Sequence, residues 1–270
     1  MALKEARGAI PADGKSTALS EAYDMIEELR QRLRALERPP GLEDGAAAVP
    51  LGMAEVDRVL GGGLACGALH EVSALGEAHL PAATGFVAGL ASAASEPGMT
   101  GIVWLAEDMG LAESGALYGP GLEGCGIHPE KLLTVVVAHR RDLLWAMEEA
   151  LRCRSVRVVV GEMRAGALDG VAVRRLSLAA AESGALAILL RAAPPEDAST
   201  ATTRWLVGAA PPPGGGEERP PHFTAHLTRN RHGSLRSWIL TWSDGHGFQC
   251  AAHAQPLAAA AADRPHRAVA

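Results

Sequence analysis

Lysine is almost missing from this 270-residue chain, occurring only as Lys4, Lys15 and Lys131. The first two fall in the N-terminal segment, and the third precedes the apolar run Leu132–Val137. Phosphate-binding loops rely on a lysine to reach the β- and γ-phosphates, so few places in the chain could host one. Aromatic residues make up only 4%, which leaves Val, Leu, Ile and Ala to build the core. The four cysteines, Cys66, Cys125, Cys153 and Cys250, are widely separated. That spacing excludes a CxxC metal knuckle and a dense disulfide framework, and fits the reduced thiols of a cytosolic protein. Residues 1–14 lack the apolar run of a signal peptide. The apolar stretches are strand-length, far short of the about 20 residues that cross a bilayer, so a soluble, cytoplasmic protein is expected. The net charge of −6 argues against general affinity for polyanions and leaves only local contact with nucleic acid.

What is present is a 48% hydrophobic, 21% charged chain, enough for one large domain with extensions. Residues 1–16 are expected to be disordered. Over 17–37, Ala22, Ile26, Leu29, Leu33 and Leu36 recur at spacings of four and three, which predicts an amphipathic helix. Glu28 and Arg32 add an i,i+4 pair on its polar side. The apolar stripe either packs on its own domain or forms a seam for another protein's helix. Residues 38–50, opening with Arg38-Pro39-Pro40-Gly41, read as a linker.

From Leu51 strand-like and helical runs alternate. Strands are expected at Leu69–Ser73, Gly101–Leu105, Leu132–Val137, Val156–Val160 and Ala185–Leu190. All but the first are nearly continuous in apolar character, as for strands covered on both faces. Helices are expected at Ala82–Ser95, Arg140–Arg152 and Leu168–Ser183, the second burying Leu143, Leu144, Met147 and Leu151 and pairing Glu148 with Arg152 on the opposite side. Such alternation predicts an α/β fold, a mostly parallel sheet with flanking helices and right-handed crossovers. Beyond Arg191 come a polar loop, a strand at Arg204–Ala210 and a Pro/Gly excursion over 211–221. An antiparallel hairpin of His222–Arg229 and Ser237–Trp242 follows, turning at Asn230-Arg231-His232-Gly233. The core is thus placed at 51–243, with a poorly ordered tail over 244–270.

In a doubly wound sheet the first βα turn is the usual phosphate site. Here it reads Ala74-Leu75-Gly76-Glu77-Ala78-His79-Leu80-Pro81. It has one glycine, no lysine, and a carboxylate that would repel phosphate, and no arginine lies between Arg58 and Arg140. No bound cofactor and no catalysis are expected. Glu107 and Glu162 follow strands where acids often act, yet without phosphate or metal they read as polar strand ends. His222 and His226, four apart on a strand, lie about 13 Å apart, too far to share a metal. Ser73 and Ser177 lack a nucleophile-elbow context. Arg229, Arg231 and Arg236, with Trp238 close by, form a candidate single-stranded DNA contact, since arginines among aromatics hold bases by charge and stacking. The alternative is a solvated turn over core tryptophans.

The run Leu51-Gly52-Met53, Val56-Asp57-Arg58-Val59-Leu60, Gly61-Gly62-Gly63-Leu64 and Gly67-Ala68-Leu69-His70-Glu71-Val72 resembles the approach to the ATPase core of RecA. His79-Leu80-Pro81 stands where Gly-Lys-Thr would be, and Glu107 looks like the position of RecA's catalytic glutamate. The chain is more similar still to the ImuA family. The matching pieces include Leu117-Tyr118-Gly119-Pro120-Gly121-Leu122, Asp142–Glu149, Leu151-Arg152-Cys153-Arg154, Val159-Val160-Gly161-Glu162 and Thr202-Thr203-Arg204-Trp205. Leu227-Thr228-Arg229-Asn230-Arg231 and Ser237-Trp238 complete a resemblance over 17–243. It implies a RecA-like core with an N-terminal helical extension. It also implies a non-catalytic adaptor in SOS-inducible translesion DNA synthesis, with ImuB, RecA and an error-prone C-family DNA polymerase as partners. RecA's DNA-contacting loops would correspond to Met163–Asp169 and Ala192–Thr203; the second carries Glu196 and Asp197 and no basic residue before Arg204. A RecA-type ATPase with an unconventional nucleotide site and a single-stranded DNA-binding module remain the alternatives.

Overall fold

The computed structural model describes residues 47–95, 101–164, 166, 168–194, 199–211, 220–231, 233–243 and 245–252. The stripe Ala22, Ile26, Leu29, Leu33 and Leu36 lies outside the described residues, as do most of the linker and the last eighteen residues.

The order of elements begins with β1 (Ala48–Val49), α1 (Ala54–Leu60), β2 (Leu64–Ala65) and β3 (Ala68–Ala74). After a short 3-10 turn come α2 (Leu80–Ala93), β4 (Gly101–Glu107), α3 (Asp108–Ser114), α4 (Gly119–Gly124) and β5 (Leu132–Val137). The parallel part closes with α5 (Arg140–Leu151), β6 (Val156–Met163), α6 (Gly170–Ser183), β7 (Leu186–Arg191) and β8 (Thr203–Ala209). The antiparallel part is β9 (His222–Asn230), β10 (Arg236–Ser243) and β11 (Gly247–Ala252). Nine strands form one sheet in the order β11-β10-β9-β8-β3-β7-β6-β4-β5. The six from β8 to β5 run parallel, and β9, β10 and β11 add antiparallel.

Side-chain alternation divides the core into two layers. On β4, Ile102 and Trp104 face the cluster under α2, whereas Val103 and Leu105 join Leu143, Met147 and Leu176 of α5 and α6. The central strand β3 is buried along its whole length although it carries His70, Glu71 and Ser73. Partners compensate two of these. The His70 ring meets Thr203 Oγ1 at 2.7 Å and the Ala65 carbonyl at 2.9 Å, and Glu71 accepts from Arg204 Nε at 2.8 Å and from Ser199 Oγ.

The structure departs from the sequence reading in four places. First, β5 is an edge strand with Leu133 and Val136 more than half exposed, so it is not covered on both faces. Periodicity cannot tell an edge strand from a central one when both are apolar. Second, Glu148 is buried and is held by Arg152 at 2.6 Å and by Arg175; it belongs to the packed side of α5, not to the open one. Third, residues expected in a poorly ordered tail form β11, which pairs with β10 and buries Phe248. Fourth, the expectation of an aliphatic core fails locally. All three phenylalanines and three tryptophans, Trp205, Trp238 and Trp242, form one ring-to-ring cluster at centroid distances of 4.9–6.4 Å.

The β1–β2 pair seals the start of the core. Gly63, at φ 138°, brings its Cα against the Val49 carbonyl and the Pro50 nitrogen, where no Cβ fits. Gly63→Ala combines a disfavoured backbone conformation with a backbone clash, and should lower folding stability by about 2 kcal/mol or more, read as a shift in the urea midpoint.

Candidate functional site

The C-terminal ends of β3, β4 and β6 lie together at one rim of the sheet, where open α/β folds bind ligands. The loop leaving β3 does not form a phosphate cradle. Leu75 donates its N–H to the Val207 carbonyl at 2.8 Å, and Glu77–His79 coil into the 3-10 turn. The His79 Nδ1 accepts the Ala209 N–H at 3.1 Å, tying the turn to β8. Pro81 sits in the first turn of α2 and contributes no N–H. Of the loop residues Ala74, Leu75, Gly76, Glu77, Ala78, His79, Leu80 and Pro81, only Ala74 and Leu80 are buried.

Along the chain no lysine or arginine lies between Arg58 and Lys131, so no cation adjoins this loop in sequence. In space, Arg164 arrives from the end of β6. Its guanidinium pairs with Glu113, reaches Ser114 Oγ at 3.1 Å and approaches Glu77 Oε1 at 3.6 Å. The arginine thus serves two carboxylates of its own protein. Glu107 is nearly buried, with both oxygens engaged: Oε1 by Arg140 Nε at 3.4 Å and Oε2 by the Arg164 N–H at 3.2 Å. Here Glu107 brackets two segments together. Glu162 Oε2 accepts the Trp104 indole N–H at 2.9 Å. Burial pushes the Glu162 carboxyl above its ordinary range, opposed by that hydrogen bond and by the Arg164 charge.

Since burial raises the Glu162 carboxyl, the folded protein holds this proton more tightly than the unfolded chain does. Its contribution to stability is complete below the ordinary carboxylate range and is lost as pH rises through the folded value. Glu162→Gln should therefore be more stable than the parent at pH 8 and equal to it at about pH 4, compared by urea midpoints at both pH values. A parent that gains stability over Glu162→Gln on going from pH 4 to pH 8 would contradict this.

These elements enclose a cleft of about 700 Å³ between α2 and the α3–α4 segment. Leu80, Pro81, Ala88, Leu117 and Leu122 supply apolar wall; Glu77, Glu113, Glu162 and Arg164 supply the charge. Tyr118, largely exposed, stands at its lining.

The hairpin residues are placed otherwise than a stacking surface needs. Arg229 Nε donates to the Ala201 carbonyl at 2.9 Å, Arg231 to the Thr200 carbonyl at 3.2 Å, and Arg236 pairs with Glu55 at 3.4 Å. Trp238 is 3% exposed and lies 5.8 Å from Trp205, so it offers no face to a base. These arginines fasten the 199–204 segment and α1 to the hairpin. His222 bonds to the Pro220 carbonyl and His226 to Ser237. Among the described residues no group of three or more His, Cys, Asp or Glu converges as a metal site would require. No described helix is long and apolar enough to cross a membrane. Arg164 and the Glu71–Arg204 pair were missed from sequence. The second had a signal in β3, whose His70, Glu71 and Ser73 stand among apolar residues.

The architecture places the chain in a known structural class. It is similar to the crystal structure of the RadB recombinase with a TM-score of 0.50 and 14% identity, covering 74% of this chain and 98% of that one. The fold is RecA-like: a mostly parallel sheet with flanking helices and a C-terminal antiparallel extension. In sequence, the chain is 33% identical over 134 residues to Protein ImuA from two strains of Caulobacter vibrioides, 48% of this chain and 51% of each relative. The chain therefore spans about half the length of the curated relatives it matches. No family model matches it.

Proposed function

We propose that this chain is a non-catalytic, RecA-like adaptor of the ImuA type, acting in DNA-damage-induced translesion synthesis. The observation that carries the reading is the state of the β3–α2 loop, whose groups are committed to the protein itself. Glu77 faces Arg164, and His79 is bonded to β8. A triphosphate arriving here would meet three carboxylates, Glu77, Glu113 and Glu162, and one arginine already paired. Like charge in a partly desolvated cleft disfavours binding strongly. The identity with Protein ImuA over half the chain supports the biological setting. ImuB, RecA and an error-prone C-family DNA polymerase are the partners this reading assigns.

Calorimetric titration with Mg-ATP should give no saturable heat. Micromolar binding would overturn the reading, and ATP turnover lost in Glu107→Gln would replace it with a RecA-type ATPase. For partner contact we assign the stripe Ala22, Ile26, Leu29, Leu33 and Leu36. Leu29→Asp with Leu33→Asp should abolish co-purification with ImuB while the far-ultraviolet circular dichroism of the core is kept. Retained co-purification would remove that assignment.

A further inference from the structure

We propose that the cleft between α2 and the α3–α4 segment is a docking pocket for a basic, apolar-flanked peptide segment of a partner protein. This deepens the adaptor reading and rests on it, since it assigns a protein ligand to the place where a nucleotide would sit.

The chemistry of the walls selects the occupant. Three carboxylates face one guanidinium, and that guanidinium is already bound by Glu113 with Glu77 nearby. The charge left over is negative, and it is centred on Glu162 at the inner end. One Glu162 oxygen is occupied by the Trp104 indole, while the residue itself lines the cleft. Anions are thus disfavoured and a cation is favoured. The remaining wall is apolar, from Leu80, Pro81, Ala88, Leu117 and Leu122. Arginine and lysine carry a hydrophobic stem under a charged head, so one such side chain satisfies both parts of the surface. A volume of about 700 Å³ holds that side chain together with an apolar neighbour. Tyr118, 73% exposed, provides an aromatic face at the lining for a second cation or apolar contact. A free inorganic cation would use the carboxylates and leave the apolar wall wet, which is why a peptide is the better fit.

The indole N–H of Trp104 gives a direct readout because it is bonded to Glu162. The full chain, labelled with nitrogen-15, is titrated with three probes. They are an acetylated, amidated peptide of sequence Leu-Arg-Leu-Arg-Leu, the same peptide with glutamine for arginine, and Mg-ATP. The arginine peptide should shift the Trp104 indole resonance saturably, and the glutamine peptide and Mg-ATP should not. Glu113→Gln and Glu162→Gln should each weaken the arginine peptide at least about tenfold. Glu113 is half exposed, so its variant keeps the test valid should Glu162→Gln fold differently. Equal binding of the two peptides, or undiminished binding in both variants, would overturn recognition by charge. Silence toward the arginine peptide with silence toward Mg-ATP would sink the docking pocket and leave the non-nucleotide reading standing. A saturable shift with Mg-ATP would sink both.

Discussion

Arg204→Met should destabilise the fold by about 3–5 kcal/mol, the usual consequence of removing one member of a buried ion pair. Glu71 is 1% exposed at the centre of β3, and its Oε2 receives Arg204 Nε at 2.8 Å from the neighbouring strand β8. Methionine retains the stem and packing of the arginine and leaves a carboxylate inside the sheet without its cation. Ser199 Oγ remains as a partial compensation. The double variant Glu71→Gln with Arg204→Met should recover most of the loss, because the cost belongs to the stranded charge and not to the missing attraction. Urea denaturation of the four proteins of this cycle measures it. A loss in the double variant equal to the sum of the two single losses would mean that the side chains act independently.

Trp205→Ala is expected to cost a similar amount, about 3–5 kcal/mol, through loss of buried area and an unfilled cavity. Trp205 is fully buried on β8, 5.6 Å from Phe86 of α2 and 5.8 Å from Trp238 of β10. Its indole N–H donates to Thr203 Oγ1, which also contacts His70. The residue therefore joins the parallel and antiparallel parts of the sheet to the same helix. Its replacement should lower the thermal midpoint and flatten the near-ultraviolet circular dichroism, since neighbouring rings lose their fixed environment. A midpoint unchanged from the parent would show that the cluster closes over the gap.

The parallel strands were legible in the sequence because burial on both faces writes a nearly continuous apolar run, as in Val156–Val160, broken only by Arg157, and Ala185–Leu190. The structure extends these by one to three residues, to Met163 and Arg191. The hairpin was legible from its alternation and its Asn230–Gly233 turn. What escaped was whatever depends on proximity across the sheet. Arg164 is 87 positions from Glu77 in sequence, yet stands 3.6 Å from it; no local pattern announces such a meeting. Strand β11 escaped because Gly247-Phe248-Gln249-Cys250 is short, glycine-led and followed by an alanine-rich stretch that resembles linker. The absence of a lysine at the β3–α2 turn was plain from composition. How the turn occupies itself, through His79 and Glu77, was not.

The last described strand sets a practical boundary for anyone shortening the chain. Phe248 stacks edge-on against Trp242 at 4.9 Å and packs 5.3 Å from Phe86. A chain cut at the end of the hairpin would uncover those rings and leave β10 with its backbone donors and acceptors open. Exposed aromatic surface beside an unpaired strand invites self-association. A shortened chain should therefore keep every residue of β11 through Ala252, so that the aromatic cluster stays covered.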